Sequence, residues 1–106
     1  MNEKYIVVIT TCDSREIAEK ISNFLVTNKL AACVQISNEI NSVYIWKNNI
    51  ENSTEYYCII KTKENLFHKV AESIKKIHNY EVPEIIALPI IYLSNDYKKW
   101  IDENTL

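Results

Sequence analysis

Five side chains in this 106-residue sequence carry soft or imidazole donors: Cys12, Cys33, Cys58, His68 and His78. No two stand at the C-x-x-C or H-x-x-x-H spacings that set two ligands side by side on one turn. Any metal site must therefore be assembled in space from segments far apart in the chain. A cysteine thiolate with an imidazole selects late first-row ions, copper above zinc. His78, Cys33 and Cys12 are the candidate metal ligands, although Cys33, flanked by Ala32 and Val34, also reads as a packed thiol. Cys58 lies in an apolar run and reads as a small core hydrophobe. His68 reads as a solvated side chain. The bland alternative for His78 is a histidine at a helix C-terminus, set against the dipole and the last carbonyls. Cys12 with His78 is also the one pair that could act as nucleophile and base, but no glycine-rich nest stands near it to form an oxyanion hole.

Composition narrows the chemistry further. The chain contains no glycine, and Walker loops, dinucleotide-binding turns and G-x-S-x-G elbows all need it for positive φ or close backbone approach. Net charge is −2, and Arg15 is the sole arginine among twelve basic residues. Nucleic-acid binders need a basic stripe, usually with arginine forks, so no nucleic-acid partner is expected. Tyr5–Ile9 is far shorter than the ~18 apolar residues of a membrane span, and too short for a signal-peptide core. An odd cysteine count at wide spacing does not read as a secreted disulfide framework. The expected address is the cytoplasm, with no membrane partner, and no enzyme activity is expected.

The elements that must position these residues can be read along the chain. Residues 4–11 are β-branched and nearly all apolar, as in a strand covered on both faces. Asp13-Ser14-Arg15-Glu16 carries a capping-box pattern from Asp13 to Glu16, and Ile17, Ala18, Ile21, Phe24 and Leu25 follow as one apolar helical stripe. Residues 32–46 alternate as an extended segment, Lys47-Asn48-Asn49-Ile50 is the turn, and residues 55–62 return as a strand. Thr62 is the expected cap of a second helix whose inner face is Leu66, Phe67, Val70, Ala71, Ile74 and Ile77. Residues 84–92 form the fourth strand, placed at an edge by Pro89, which cannot donate to a ladder. Tyr97, Trp100 and Ile101 mark a short closing helix begun by Ser94 or Asn95.

Nothing divides residues 1–106, so they read as one domain. The order β-α-β-β-α-β with a terminal helix predicts an α+β, ferredoxin-like sandwich: two helices on one face of a four-stranded antiparallel sheet. Right-handed crossovers put strands 1 and 3 in the centre. Cys12, His78, Glu55 and Glu81 or Glu84 then fall at one end of the sheet, and Cys33 at the other. A neighbouring subunit would have to bring Cys33 to Cys12. The second strand, at about fifteen residues against the usual ~5–6, is too long for a lone domain. Its hairpin must project or break at a bulge near Asn38–Asn41. The projecting aromatics Tyr44, Trp46, Tyr56 and Tyr57 are costly to leave wet, which predicts an oligomer.

Leu30-Ala31-Ala32-Cys33-Val34, Tyr44-Ile45-Trp46, Ile60-Lys61-Thr62 and His78-Asn79-Tyr80-Glu81-Val82-Pro83-Glu84-Ile85 occur in this order and at these separations. Together they resemble the CutA family of divalent-cation-tolerance proteins across nearly the whole chain. The resemblance implies a ferredoxin-like subunit in a homotrimer whose long hairpins join neighbouring sheets. It also implies a link to copper and other divalent metal ions, with no required cofactor and no established reaction. Cys33 and His78 match positions discussed for metal contact. Tyr44, Trp46, Lys61, Tyr80, Glu81 and Glu84 match the motif around intersubunit clefts. The chain departs from the family where Asn48-Asn49 stands for the usual glycine of the hairpin turn and Asn79 for the usual proline after the histidine. The leading expectation is a trimeric, copper-type metal-binding protein acting in metal tolerance. The alternative is a trimeric sensor similar to nitrogen-regulatory PII proteins, binding a small anionic metabolite between subunits near Lys61 and the cleft aromatics.

Overall fold

A computed structural model describes residues 3–106. The elements run β1 (Tyr5–Cys12), α1 (Arg15–Thr27), β2 (Cys33–Trp46), β3 (Asn49–Lys63), a 3-10 turn (Glu64–Leu66), α2 (Phe67–Ile77), β4 (Ile86–Ile90) and α3 (Asn95–Glu103). The antiparallel sheet has the order β2-β3-β1-β4. Strands β1 and β3 are central and Pro89 lies in the edge strand β4, as the sequence pattern requires.

One sheet face is covered by α1 and α2. Even-numbered residues of β1 and β3 point into it: Val8, Ile60 and Cys58 are fully buried against Ala18, Ile21 and Leu25 of α1 and Val70 and Ile74 of α2. Phe24, expected on the inner stripe, is largely exposed. The other face carries the odd-numbered residues, and α3 covers only one part of it, where Ile101 packs with Tyr5 and Ala32. The Tyr5 hydroxyl donates to Asp102 Oδ1 at 2.7 Å and ties that helix to β1.

Several local expectations are corrected by the structure. The cap of α1 is Ser14, not Asp13: its hydroxyl accepts from the Ile17 N–H at 3.2 Å, leaving Asp13 free to bind elsewhere. Thr62 caps no helix. It ends inside β3, and its hydroxyl donates to the Leu30 carbonyl at 2.6 Å, satisfying a buried acceptor under the Leu30–Ala32 corner. A 3-10 turn starts the second helical segment instead. Strand β3 begins at Asn49 rather than Glu55, because the ladder with β2 continues to the hairpin tip. Strand β4 is shorter than residues 84–92: its ladder with β1 runs from Ile86, opposite Ile9, to Ile90, opposite Tyr5, where β1 begins.

The absence of glycine has visible consequences. Helix α1 closes with Leu30 N–H donating to Leu25 O at 2.9 Å and Lys29 N–H to Val26 O at 3.1 Å. This is a Schellman cap, and its left-handed position is filled by Lys29 at φ 57°. The hairpin turn is only two residues, Lys47 and Asn48, both at positive φ (50° and 69°), with Trp46 already paired to Asn49. Positive φ at both central positions is the primed turn that matches strand twist.

Strands β2 and β3, of 14 and 15 residues, extend well past the helices, and the molecule measures 46 × 25 × 24 Å. At ~3.3 Å per residue the hairpin alone accounts for the long axis. A bulge interrupts it: Ile36 faces Cys58 but Glu39 faces Tyr56, one extra residue on β2. Ser37 Oγ accepts from the Tyr57 N–H at 2.9 Å across this gap. The expected break near Asn38–Asn41 thus falls slightly earlier, between Ile36 and Glu39.

Candidate functional site

The loop after α2 builds the site. His78 ends the helix, its N–H donating to Ile74 O at 2.8 Å. Its ring turns under the sheet end, with Nε2 bonded to the Thr11 carbonyl at 2.7 Å and Nδ1 accepting the Tyr80 N–H at 3.1 Å. These partners fix the tautomer: Nε2 carries the hydrogen and Nδ1 the lone pair. Asn79 donates from Nδ2 to both Asp13 carboxylate oxygens, at 3.2 and 3.3 Å. The loop is thereby pinned to the end of β1, and Tyr80 is aimed across the sheet end.

There the Tyr80 hydroxyl donates to Glu55 Oε2 at 2.6 Å. Glu55 is buried, on the face opposite α1 and α2, and its carboxylate is held by this charge-assisted bond. Burial first, then the hydrogen bond and charge of Glu55, push the Tyr80 phenol well above its usual range. Glu84 stands on the open side. What shielding it has from solvent, and then the Glu55 carboxylate, lift its carboxyl above the ordinary value.

A cleft of about 840 Å³ opens over these groups, walled by Tyr44 and Trp46 from the arm and by Tyr80, Glu81 and Glu84 from the loop. The bulge decides that wall. Without the extra residue, Tyr44 and Trp46 would continue the helix-side face of Val34 and Ile36; with it, they turn to the face that holds Glu55. Tyr44 Oη bonds Ser53 Oγ at 2.8 Å, and the Lys47 ammonium sits 5.7 Å from the centre of the Trp46 ring.

The structure distributes the expected metal ligands widely. His78 is buried with both ring nitrogens engaged. Cys12 is buried on the helix side beside Cys58. Cys33 pairs with Lys61 on the opposite face, close enough to Tyr97 to raise its phenol, after burial. No group of three His, Cys, Asp or Glu side chains converges among the described residues. Lys61 lies outside the cleft and donates to Gln35 Oε1. Tyr44, Trp46, Tyr80, Glu81 and Glu84 line one cleft within the chain. Topology placed Glu55 at this end of the sheet, but its role needed the Tyr80 hydroxyl; the signal was a carboxylate inside an otherwise strand-forming run.

Comparison with known proteins bears on this geometry directly. The family described as CutA1 divalent ion tolerance protein matches residues 6–104. The chain belongs to the CutA1 family. It is 42% identical over 100 residues to the chloroplastic Protein CutA of Arabidopsis thaliana, covering 94% of this chain and 55% of that one. To the divalent-cation tolerance protein CutA of Thermus thermophilus it is 40% identical over 99 residues, covering 93% and 96%. It therefore spans about half of the longer plant relative and nearly all of the bacterial one. The crystal structure of CutA1 from Oryza sativa superposes with a TM-score of 0.94 at 38% identity, covering 97% of this chain and 94% of that one. The ferredoxin-like α+β fold read from the element order is the CutA1 fold.

Proposed function

We propose that this CutA1-family chain binds a divalent cation, Cu²⁺ most tightly, in the cleft between arm and loop, and acts in metal-ion tolerance as a homotrimer. The observation that carries the reading is the oxygen cluster of Glu55, Tyr80 and Glu84. Desolvation first and then the charge of Glu55 lift the Glu84 carboxyl above its ordinary value, and a cation placed between the two side chains removes that repulsion. Carboxylate and phenol oxygens fit a divalent ion, and for any one such donor set Cu²⁺ stands highest among first-row metals. His78 serves this site by position: it holds Tyr80 in place with both nitrogens occupied.

The homotrimer is supported by what the single chain leaves open. Ile86 and Leu88 are about half exposed beside the half-covered face of β1, and Ile45 and Ile50 at the arm tip are 73% and 78% exposed. Apolar surface of this extent is a mark of an interface. The cleft's carboxylates speak against the anionic-metabolite alternative, since they repel an anion and Lys61 points elsewhere.

Isothermal titration with Cu²⁺ tests the binding. The expected result is saturable binding that weakens by about tenfold or more, ~1.4 kcal/mol, in Glu55→Gln and Glu84→Gln. No saturable heat, or affinity unmoved by both substitutions, overturns it. Light scattering should give about three times the 12.4 kDa chain mass.

A further inference from the structure

On the sheet face opposite the carboxylate cleft, three small polar side chains meet beneath α1. Thr10 stands directly across from Cys58, and Cys12, two residues further along β1, is paired with Tyr56. Cys12 and Cys58 are therefore diagonal neighbours on one face, and all three residues have no solvent exposure. Cys58 Sγ makes one long contact, 3.8 Å to the Ala18 carbonyl. Thr10 Oγ1 is the one buried side-chain oxygen or nitrogen without a partner among the described residues. Such an orphan hydroxyl in an apolar core is expensive and calls for an explanation.

Diagonal residues on an antiparallel pair lie ~7–8 Å apart, somewhat less between Cβ atoms. A disulfide needs Cβ atoms about 3.5–4.5 Å apart, so the backbone holds these two sulfurs off direct bonding. One atom between them fits instead. With a metal–sulfur bond of ~2.3 Å, a linear two-coordinate ion spans about 4.6 Å between sulfurs. We propose that Cys12 and Cys58 bind one soft monovalent cation, Cu(I) or Ag(I), as a two-coordinate bis-thiolate site, with the Thr10 hydroxyl donating to the anionic sulfur. Soft thiolates select Cu(I), two ligands suffice for it, and the surrounding Val8, Ile21 and Ile60 exclude water. The two thiols already perturb each other: the nearness of Cys58 raises Cys12, and that of Cys12 lowers Cys58.

Binding balances without redox chemistry. One Cu(I) enters, two S–H bonds break, two S–Cu bonds form, and two protons leave to solvent. The centre passes from neutral to a single negative charge. The Thr10 hydroxyl then has a charged sulfur to donate to. The nearby Asp13 and Glu55 carboxylates are occupied by Asn79 and Tyr80. Because the site lies across the sheet from Glu55 and Glu84, its test is separable from that of the divalent site.

The test uses the full chain in a Cys33→Ser background, so that Cys12 and Cys58 are the only thiols. Anaerobic titration with Cu(I) against a chromophoric chelator should give one ion per chain, with release of two protons. Cys12→Ala and Cys58→Ala should each abolish that binding, and Thr10→Val should weaken it by about tenfold. Since a core substitution can unfold the chain, a second reading needs none: Ag(I) should raise the melting temperature of the Cys33→Ser protein, because only the folded state pairs the two thiols. Retained stoichiometry in Cys12→Ala/Cys58→Ala overturns the site. So does an unchanged or lowered melting temperature with Ag(I), or a product lighter by two hydrogens that takes up no metal. Thr10→Val with unaltered affinity removes the hydroxyl from it.

Discussion

The Tyr80 hydroxyl reaches Glu55 Oε2 over 2.6 Å and joins the loop after α2 to the middle of β3. Twenty-five residues separate the two in sequence, and neither belongs to an element that pairs with the other. The bond holds a buried carboxylate at the floor of the cleft and fixes the aromatic ring that forms one side. Tyr80→Phe should therefore cost about 1.5–3 kcal/mol, the range for a hydrogen bond to a charged group. Denaturant unfolding measures it. A loss under ~0.5 kcal/mol would mean that water replaces the phenol without penalty.

His78 is a second structural test. Replacing it by alanine deletes both the Thr11 and the Tyr80 backbone contacts. The expected cost is about 1–3 kcal/mol in stability, with faster amide exchange at Tyr80 but not at the centre of β1. Unchanged exchange at Tyr80 would show that Asn79 and Glu55 hold the loop alone.

The bulge between Ile36 and Glu39 is predicted to set the faces of the arm. Deleting Asn38 restores strict alternation and turns Tyr44 and Trp46 to the helix side. The altered chain should keep its helices by circular dichroism, lose divalent-ion binding, and shift its tryptophan emission. Binding and emission like those of the parent chain would refute the role assigned to the extra residue.

Lys29 occupies a left-handed position at φ 57°. A side chain with a Cβ is disfavoured there by roughly 1–2 kcal/mol, while glycine is not. Lys29→Gly should raise stability by about 1 kcal/mol, seen as a higher denaturation midpoint at unchanged slope. A lower midpoint would place the greater cost in the freer unfolded chain.

Alkaline pH should loosen α3 first. Burial, then the hydrogen bond to Asp102 and its charge, push Tyr5 up to about 12 from its usual 10.0. An acid raised in the folded state favours the protonated form there. Its stabilisation is complete below pH 10, declines above it, and is gone once pH passes about 12. Tyr5→Phe should be less stable than the parent at pH 8 and converge with it near pH 12. A constant difference across that range would disconnect the phenol from the effect.

Much of the fold is legible in the sequence. The apolar run of residues 5–9 could only be a covered strand, and β1 is central. Pro89 could only lie at an edge, since it lacks the N–H that a central strand must donate. The surplus length of the hairpin announced a projecting arm. Less legible were Thr62 and Ser14. Both are short hydroxyls that suit a cap, and which one caps depends on whether a distant carbonyl, here that of Leu30, claims the hydroxyl first.

The sequence by itself determined the elements, their order, the edge strands and the surplus length of the hairpin, because periodicity, proline and chain reach act locally. Only the tertiary structure decided which faces and partners the functional side chains take. A single extra residue between Ile36 and Glu39 inverts the parity of everything beyond it, and no residue type announces its position. His78 resembles a free ligand in one dimension. Folding brings it against the Thr11 carbonyl and the Tyr80 N–H, and these contacts span 67 residues and two.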